Sequence, residues 1–167
     1  MKQTIIAVIC FLCVSSLYIQ AQKINHPSLL YTPQRIQQVK QRMQHEPKLQ
    51  EAWGDIKRTA DEALQKKDFN RLDYLSLAYL MTDNKEYADV IKEILLKTVE
   101  AESWGDVEMM ARIPAWRSQL GMAHKSFLSA VGYDAAYNVM SSSERKKIAE
   151  GLKRLAVEPA LGDWLLE

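Results

Sequence analysis

The sequence predicts an all-α protein made of helical hairpins, and three observations lead to this prediction. Apolar residues recur at steps of three and four through most of the chain after residue 32, as on the buried face of a helix. No stretch shows the apolar–polar alternation of a half-buried strand, and no glycine-rich hairpin turn occurs. Two similar stretches, Ala78 to Thr82 and Ala136 to Ser141, each end an apolar helix and precede a charged one. Their similarity is slight, so an internal repeat and a chance likeness between amphipathic helices are both open.

The first residues have the pattern of a signal peptide, which we place at 1–21. Lys2 provides a positive start, residues 5–14 form an apolar run, and Ala21 closes a plausible cleavage zone. Residues 22–167 then form one domain, because a chain of this length can bury a single good-sized core. We therefore expect an exported protein, periplasmic or secreted. The alternative is an uncleaved N-terminal anchor.

Composition excludes several classes of function. Both cysteines, Cys10 and Cys13, lie inside the predicted signal peptide, so the mature chain has no disulfide and no cysteine metal site. The formal net charge is +1, which gives no bulk attraction for nucleic acid. No later apolar run reaches the roughly 18 residues that a membrane span needs. We expect no cofactor, no metal, no nucleic-acid partner and no membrane association after signal cleavage.

Four helices are predicted before residue 100. Thr32 is an N-cap followed by Pro33 at the first helical position, which starts the first helix. Pro47 restarts the pattern for a second helix. A third helix spans about residues 71–81, and Asp83 begins the break before the fourth.

The stretch from Leu120 to Met140 is predicted to be a buried inner helix. It carries only Lys125 and Asp134 as charged residues, and so apolar a helix normally lies among other helices. Ser141 and Glu144 have the spacing of a capping box that opens the next, charged helix. The apolar residues expected on its buried face are Leu120, Ala123, Phe127, Leu128, Val131, Ala135 and Val139.

One non-periodic stretch, residues 102–117, lies between the fourth helix and this inner helix. It contains two tryptophans and two arginines that packing of a regular helix does not require. In an array of hairpins such a loop faces the concave surface. Trp116 could stack on a sugar ring, and Arg117 could pair with a carboxylate or sulfate. The alternative places Trp116 in the core and leaves Arg117 solvated.

No metalloprotease, phosphate-loop or nucleophile-elbow motif occurs in the sequence. His124 stands on the predicted inner helix, where it is either a functional residue or a hydrogen-bonded core histidine. The sequence therefore names no catalytic residues. The predicted substrate-binding residues are Trp104, Arg112, Trp116, Arg117 and His124.

Several pieces of the chain together resemble a known enzyme family. His26-Pro-Ser-Leu-Leu-Tyr-Thr-Pro is followed by a helix, and Pro47 by a second helix that contains Trp53. Two further pieces follow in chain order. The first is Leu77-Ala-Tyr-Leu-Met-Thr, and the second is Gly132-Tyr-Asp with the Ser-Ser-Ser-Glu helix start after it. This order and spacing resemble the opening of heparinase II/III-type polysaccharide lyases and their alginate-lyase relatives. The similarity extends over nearly all of the predicted mature chain.

The resemblance implies an incomplete (α/α) toroid followed by a β-sandwich domain. It implies β-elimination on uronate-containing polysaccharides by His and Tyr residues beyond the part matched here. The chain would then be a truncated N-terminal portion, inactive by itself, whose partners are an acidic polysaccharide or oligosaccharide and the missing C-terminal part. Two alternatives are open: a non-catalytic helical glycan-binding or assembly module, and a glycoside hydrolase using Asp106 and Glu108. The glycan is not specified.

Overall fold

The structure is a computed structural model that describes residues 24–165. The predicted signal peptide, residues 1–21, lies outside the described residues. Within them the chain forms helices and no strand, which confirms the all-α prediction. The α-helices are α1 Pro33–Met43, α2 Pro47–Lys66, α3 Leu72–Thr82, α4 Lys85–Thr98, α5 Val107–Met110, α6 Leu120–Ala136, α7 Ser142–Leu152 and α8 Glu158–Trp164. Two 3₁₀ turns, Phe69–Arg71 and Tyr137–Val139, and a π-helical turn, Lys153–Val157, adjoin them.

The predicted helix starts are present. The hydroxyl of Thr32 accepts a hydrogen bond from the Arg35 backbone N–H at 3.3 Å, and Pro33 is the first residue of α1. At α7, Ser141 Oγ accepts from the Glu144 backbone N–H at 3.2 Å, and the Glu144 carboxylate accepts from the Ser141 N–H at 2.7 Å. These local signals are satisfied within one helical turn, so spacing in the sequence is enough to predict them.

Two apolar helices, α3 and α6, lie side by side at the centre of the fold. Helix α2 packs on α3, and α4 packs on both central helices. Gly132 lets α6 approach its neighbours closely, since a Cβ there would lie 3.3 Å from Ile91 and 3.4 Å from Leu72. The largest fully buried apolar side chains are Leu72, Leu75, Tyr87, Ile91, Leu95, Leu128, Ile148 and Leu155. No helix within residues 24–165 has both the length and the apolar character that crossing a membrane requires.

The predicted inner helix is present, but only Leu128, Val131 and Ala135 of its predicted buried face are buried. Helix α6 ends at Ala136 rather than at Met140. Leu120 is 87% exposed and Phe127 52% exposed, and Ala123 and Val139 are also exposed, contrary to the prediction. In the first half of α6, Ala123 lines an open apolar groove shared with α8, whereas the second half of α6 is enclosed by α3 and α4. Val139 lies beyond the end of α6, in the 3₁₀ turn.

The segment before α1 is fixed to the end of α6 by Asp134, and we call this contact the N-terminal latch. The buried Asp134 carboxylate accepts hydrogen bonds from the backbone N–H groups of Ser28 and Leu29, each at 2.8 Å, and lies 2.6 Å from His26 Nδ1. The His26 ring stacks on Tyr137 with centroids 3.8 Å apart. A residue that the sequence shows as a lone charge on an apolar helix therefore joins segments more than 100 residues apart.

Candidate functional site

The loop between α4 and α6, residues 99–119, contains the non-periodic stretch 102–117, in which the sequence places most of the predicted binding residues. Its first part is held by Arg154, in the π-helical turn after α7. The Arg154 guanidinium donates hydrogen bonds to the carbonyl oxygens of Val99 and Ala101, both at 2.9 Å, and of Glu102 at 3.0 Å. Three charge-assisted bonds from one side chain fix the start of the loop.

The last part of the loop is held by Asp163 of α8, in a contact that we call the Asp163 clasp. Its carboxylate accepts from the backbone N–H groups of Arg117 and Ser118, both at 2.6 Å, and from Arg117 Nε at 3.0 Å. Trp164 Nε1 donates to Ser118 Oγ at 2.6 Å. Burial raises the pKa of Asp163, but the hydrogen bonds from Ser118 and Arg117 outweigh it and hold the pKa below its usual value. The carboxylate is therefore charged at neutral pH.

Between these two anchors the loop presents side chains to solvent. Arg112 is exposed, and Trp116 is 38% exposed. The backbone of Trp116 is fixed by its N–H, which donates to the Met109 carbonyl at 3.1 Å. Trp116 is thus a surface residue on an ordered backbone rather than a core anchor.

Arg117 has a structural contact that neither sequence reading anticipated. Its half-exposed side chain pairs with Asp163, whose own side chain is 3% exposed. The guanidinium also lies against Gly162, where a Cβ would be 2.7 Å from Nη2. The ion pair with Asp163 therefore occupies part of the Arg117 guanidinium. Only the exposed part of the side chain could contact an anionic ligand.

Trp104 and His124 differ more strongly from the expectation. Trp104 is 4% exposed and packs in the main core, where Nε1 donates to the Thr98 carbonyl at 3.4 Å. The expectation that packing does not need Trp104 is therefore wrong, because the start of the loop folds back over α4. His124 is exposed on the first half of α6. No hydrogen bond or ion pair among residues 24–165 joins any two of the five predicted residues.

His124, Tyr133 and Tyr137 are the side chains in this region that could act as an acid or a base, and His124 lies more than two helical turns before both tyrosines. His124 and Tyr133 are both on α6, nine residues apart, which corresponds to about 13 Å along the helix. The Tyr133 hydroxyl donates to the Arg145 carbonyl at 3.5 Å, and burial raises the pKa of Tyr133. Asp106 caps α5 by accepting from the Glu108 and Met109 N–H groups, so it does not form a free carboxylate pair with Glu108. Within the described part of the chain, no three His, Cys, Asp or Glu residues are grouped so as to hold a metal ion.

Comparison with known proteins adds no relative. No family model, no curated protein and no solved structure matches the chain. The function must therefore be argued from the site itself.

Proposed function

We propose that this chain is the N-terminal, substrate-side scaffold of an exported polysaccharide lyase acting on uronate-containing glycans. Its helices would form part of an (α/α) toroid, and the 99–119 loop would contact the acidic glycan. The observation that carries the proposal is a loop held by Arg154 at one end and by Asp163 at the other, with Arg112 and Trp116 exposed between them.

The chemistry of these side chains suits an acidic sugar. A guanidinium offers several N–H donors in a plane, which match the two oxygens of a carboxylate or sulfate. The partly exposed ring of Trp116 offers an apolar face next to that charge. Because the backbone is already anchored on both sides, binding would lose little loop entropy.

The helix arrangement supports the toroid portion of the proposal. The apolar helices α3 and α6 lie beside each other, and the more amphipathic α2 and α4 pack against them. That order of inner and outer helices is what consecutive hairpins of an (α/α) toroid require.

The glycan surface can be tested by removing the two exposed side chains together. Arg112→Ala with Trp116→Ala should weaken binding of an acidic oligosaccharide by about tenfold or more, since a lost charge-assisted contact contributes about 1.5–3 kcal/mol. The melting temperature should change little. Arg58→Ala, an exposed arginine on α2, is the matched control. Unchanged binding, or a loss of binding that parallels a loss of stability, would refute the assignment.

The chain alone is proposed to lack lyase activity. Elimination needs a base at the C5 proton, an acid at the leaving oxygen and a group that neutralises the carboxylate. His124 and Tyr133 are too far apart to serve one sugar. Absorbance of unsaturated uronate products on a panel of uronate polymers tests this, and turnover by the purified chain would contradict it.

Within residues 24–165, His124 and Tyr133 are not assembled into an acid–base pair, which also favours a second candidate, a non-catalytic helical glycan-binding module. The two candidates share the binding surface. They differ in whether the gene product that contains this chain cleaves the glycan it binds, which the same absorbance assay measures.

A further inference from the structure

A cavity of about 580 Å³ opens beside the start of the 99–119 loop, where α2 and α4 end. Its size falls in the range of small-ligand pockets. We call it the lysine cavity, after its most frequent lining residue. Among the residues that line it are Lys66, Lys67, Lys97, Lys125, Glu93 and Phe69.

The charge of the lysine cavity is strongly one-sided. Four lysines face a single acid, Glu93, which is paired with Lys67 at 2.7 Å. Lys66 has only a distant partner, Glu62, at 4.0 Å. Lys97 and Lys125 form no ion pair with any residue between 24 and 165. A cleft with uncompensated charge of one sign attracts ligands of the opposite sign, and low-dielectric walls strengthen that field.

The inner wall of the lysine cavity is apolar. Ile94 and Trp104 are buried there, and Phe69 packs against the same core. The hydroxyls of Thr98 and Ser103 add neutral hydrogen-bonding groups at the lining. Trp104 is too deeply buried to offer the open ring face on which a nucleobase stacks. Apolar contacts, hydroxyls and cations in one pocket instead suit a charged sugar.

We propose that the lysine cavity is a binding site for one charged sugar unit of an acidic saccharide, bearing a carboxylate or a sulfate. Lys97 and Lys125 would meet the anionic group, and the half-buried Phe69 would meet the apolar face of the ring. This extends the proposed glycan surface and rests on it for the class of ligand. It uses none of the exposed loop residues, Arg112 and Trp116, so the two proposals fail separately.

A purely structural explanation of the lysines makes a different prediction. Lys66 and Lys97 stand in the last turns of α2 and α4, where a cation interacts favourably with the helix dipole. If that were their whole role, replacing the lysines would lower stability and leave ligand binding unchanged. Binding and stability must therefore be measured on the same variants.

The experiment uses two double variants. The cavity variant carries both Lys97→Gln and Lys125→Gln, and the control variant carries both Lys85→Gln and Lys146→Gln. The control lysines are exposed and lie outside the cavity. Calorimetric titrations use a uronate disaccharide, a sulfated disaccharide, inorganic sulfate and neutral cellobiose as probes. The cavity variant should lose about tenfold or more in affinity for at least one acidic disaccharide. The affinity of the control variant should stay within about twofold of that of the unaltered chain, and the melting temperatures of all three proteins should be similar.

Each outcome decides something. A preference between the uronate and the sulfated disaccharide identifies the anionic group. Inorganic sulfate binding as tightly as the disaccharides would overturn the sugar assignment, as would equal binding of cellobiose. Unchanged affinity in the cavity variant overturns the inference while leaving the loop proposal to its own variant. In the unaltered chain, the indole N–H resonance of Trp104 should shift when an acidic disaccharide binds, and an unmoved resonance would also count against the cavity.

Discussion

Replacing Asp134 by alanine should be among the most damaging single substitutions in the chain. The change removes the only side chain of α6 that the N-terminal latch uses, and three close donors lose a charged acceptor. These donors are the backbone N–H groups of Ser28 and Leu29 and the His26 ring. The Ser28 hydroxyl, at 3.3 Å, is a fourth and more distant donor. The contacts that remain to His26 are stacking on Tyr137 and a hydrogen bond from the Asn138 side chain to its carbonyl at 2.9 Å, both beyond the end of α6. We expect these to be too few to keep the segment packed on α6.

The magnitude follows from the bonds. A hydrogen bond to a charged group contributes about 1.5–3 kcal/mol to stability. The three contributions do not add fully, because the freed donors regain water once the segment detaches. We therefore expect a loss of about 3–5 kcal/mol in the free energy of unfolding, as when a buried charged contact is broken. For a domain of this size that corresponds to a fall of about 10 °C or more in the melting temperature.

Thermal and urea unfolding followed by circular dichroism measure this loss. Asp55→Ala is the matched control, since Asp55 is an exposed acid on α2 whose only ion pair is with Arg58; it should change stability by less than about 0.5 kcal/mol. Ser28→Ala should also have little effect, because its hydroxyl contact is long, at 3.3 Å. If Asp134→Ala melted within about 2 °C of the unaltered chain, the latch would not contribute to folding in solution.

The same carboxylate predicts a pH dependence. Burial raises the pKa of Asp134, but hydrogen bonds from Leu29, His26 and Ser28 outweigh it and leave the pKa below its usual value. A lowered pKa in the folded state means that the stabilisation is present above about pH 3.9, the usual value for an aspartate. It is lost as the pH falls through the lower pKa of the folded state. The melting temperature of Asp134→Asn should therefore fall less steeply on acidification than that of the unaltered chain.

Three further substitutions test packing and capping. Gly151→Ala should destabilise the chain by about 1–3 kcal/mol, because a Cβ there would overlap the side chain of Val99. Gly54→Ala, with nothing within 4 Å of a Cβ, should instead stabilise α2 by about 0.5–1 kcal/mol. Equal effects of the two substitutions on the melting temperature would contradict the packing. Ser141→Ala should lower the free energy of unfolding by about 1 kcal/mol, because it removes the acceptor for the Glu144 N–H. If thermal unfolding showed no measurable change in melting temperature, water would be replacing the cap.

Much of the fold was predictable because its signals are local. The caps at Thr32 and Ser141 and the break at Asp83 depend on residues within one turn of each other, and the structure has each of them. The period of α6 identified which residues share a face, but it did not say where neighbouring helices stop. Leu120 and Phe127 are exposed for that reason.

The loop and the latch were less predictable because their contacts are distant in sequence. The Asp163 clasp joins α8 to Arg117 across about 46 positions, and no spacing rule connects them. Asp134 did carry a signal, as a lone acid on an apolar helix, since a buried charge requires a partner. The burial of Trp104 had no such signal, because the sequence around it has no helical period.

The π-helical turn determines how Asp163 is rotated about the helix axis relative to Arg154, and these two residues anchor the 99–119 loop. Arg154 lies inside this turn and Asp163 in the helix that follows it. Each residue of a helix rotates the next side chain by about 100°, and a π turn contains one residue more than an α turn. Deleting Ala156 would leave Arg154 in place and rotate Asp163 away from Arg117. The start of the loop would stay bound to Arg154, and its end would be released from Asp163. The number of residues in the π-helical turn therefore determines where Trp116 is held.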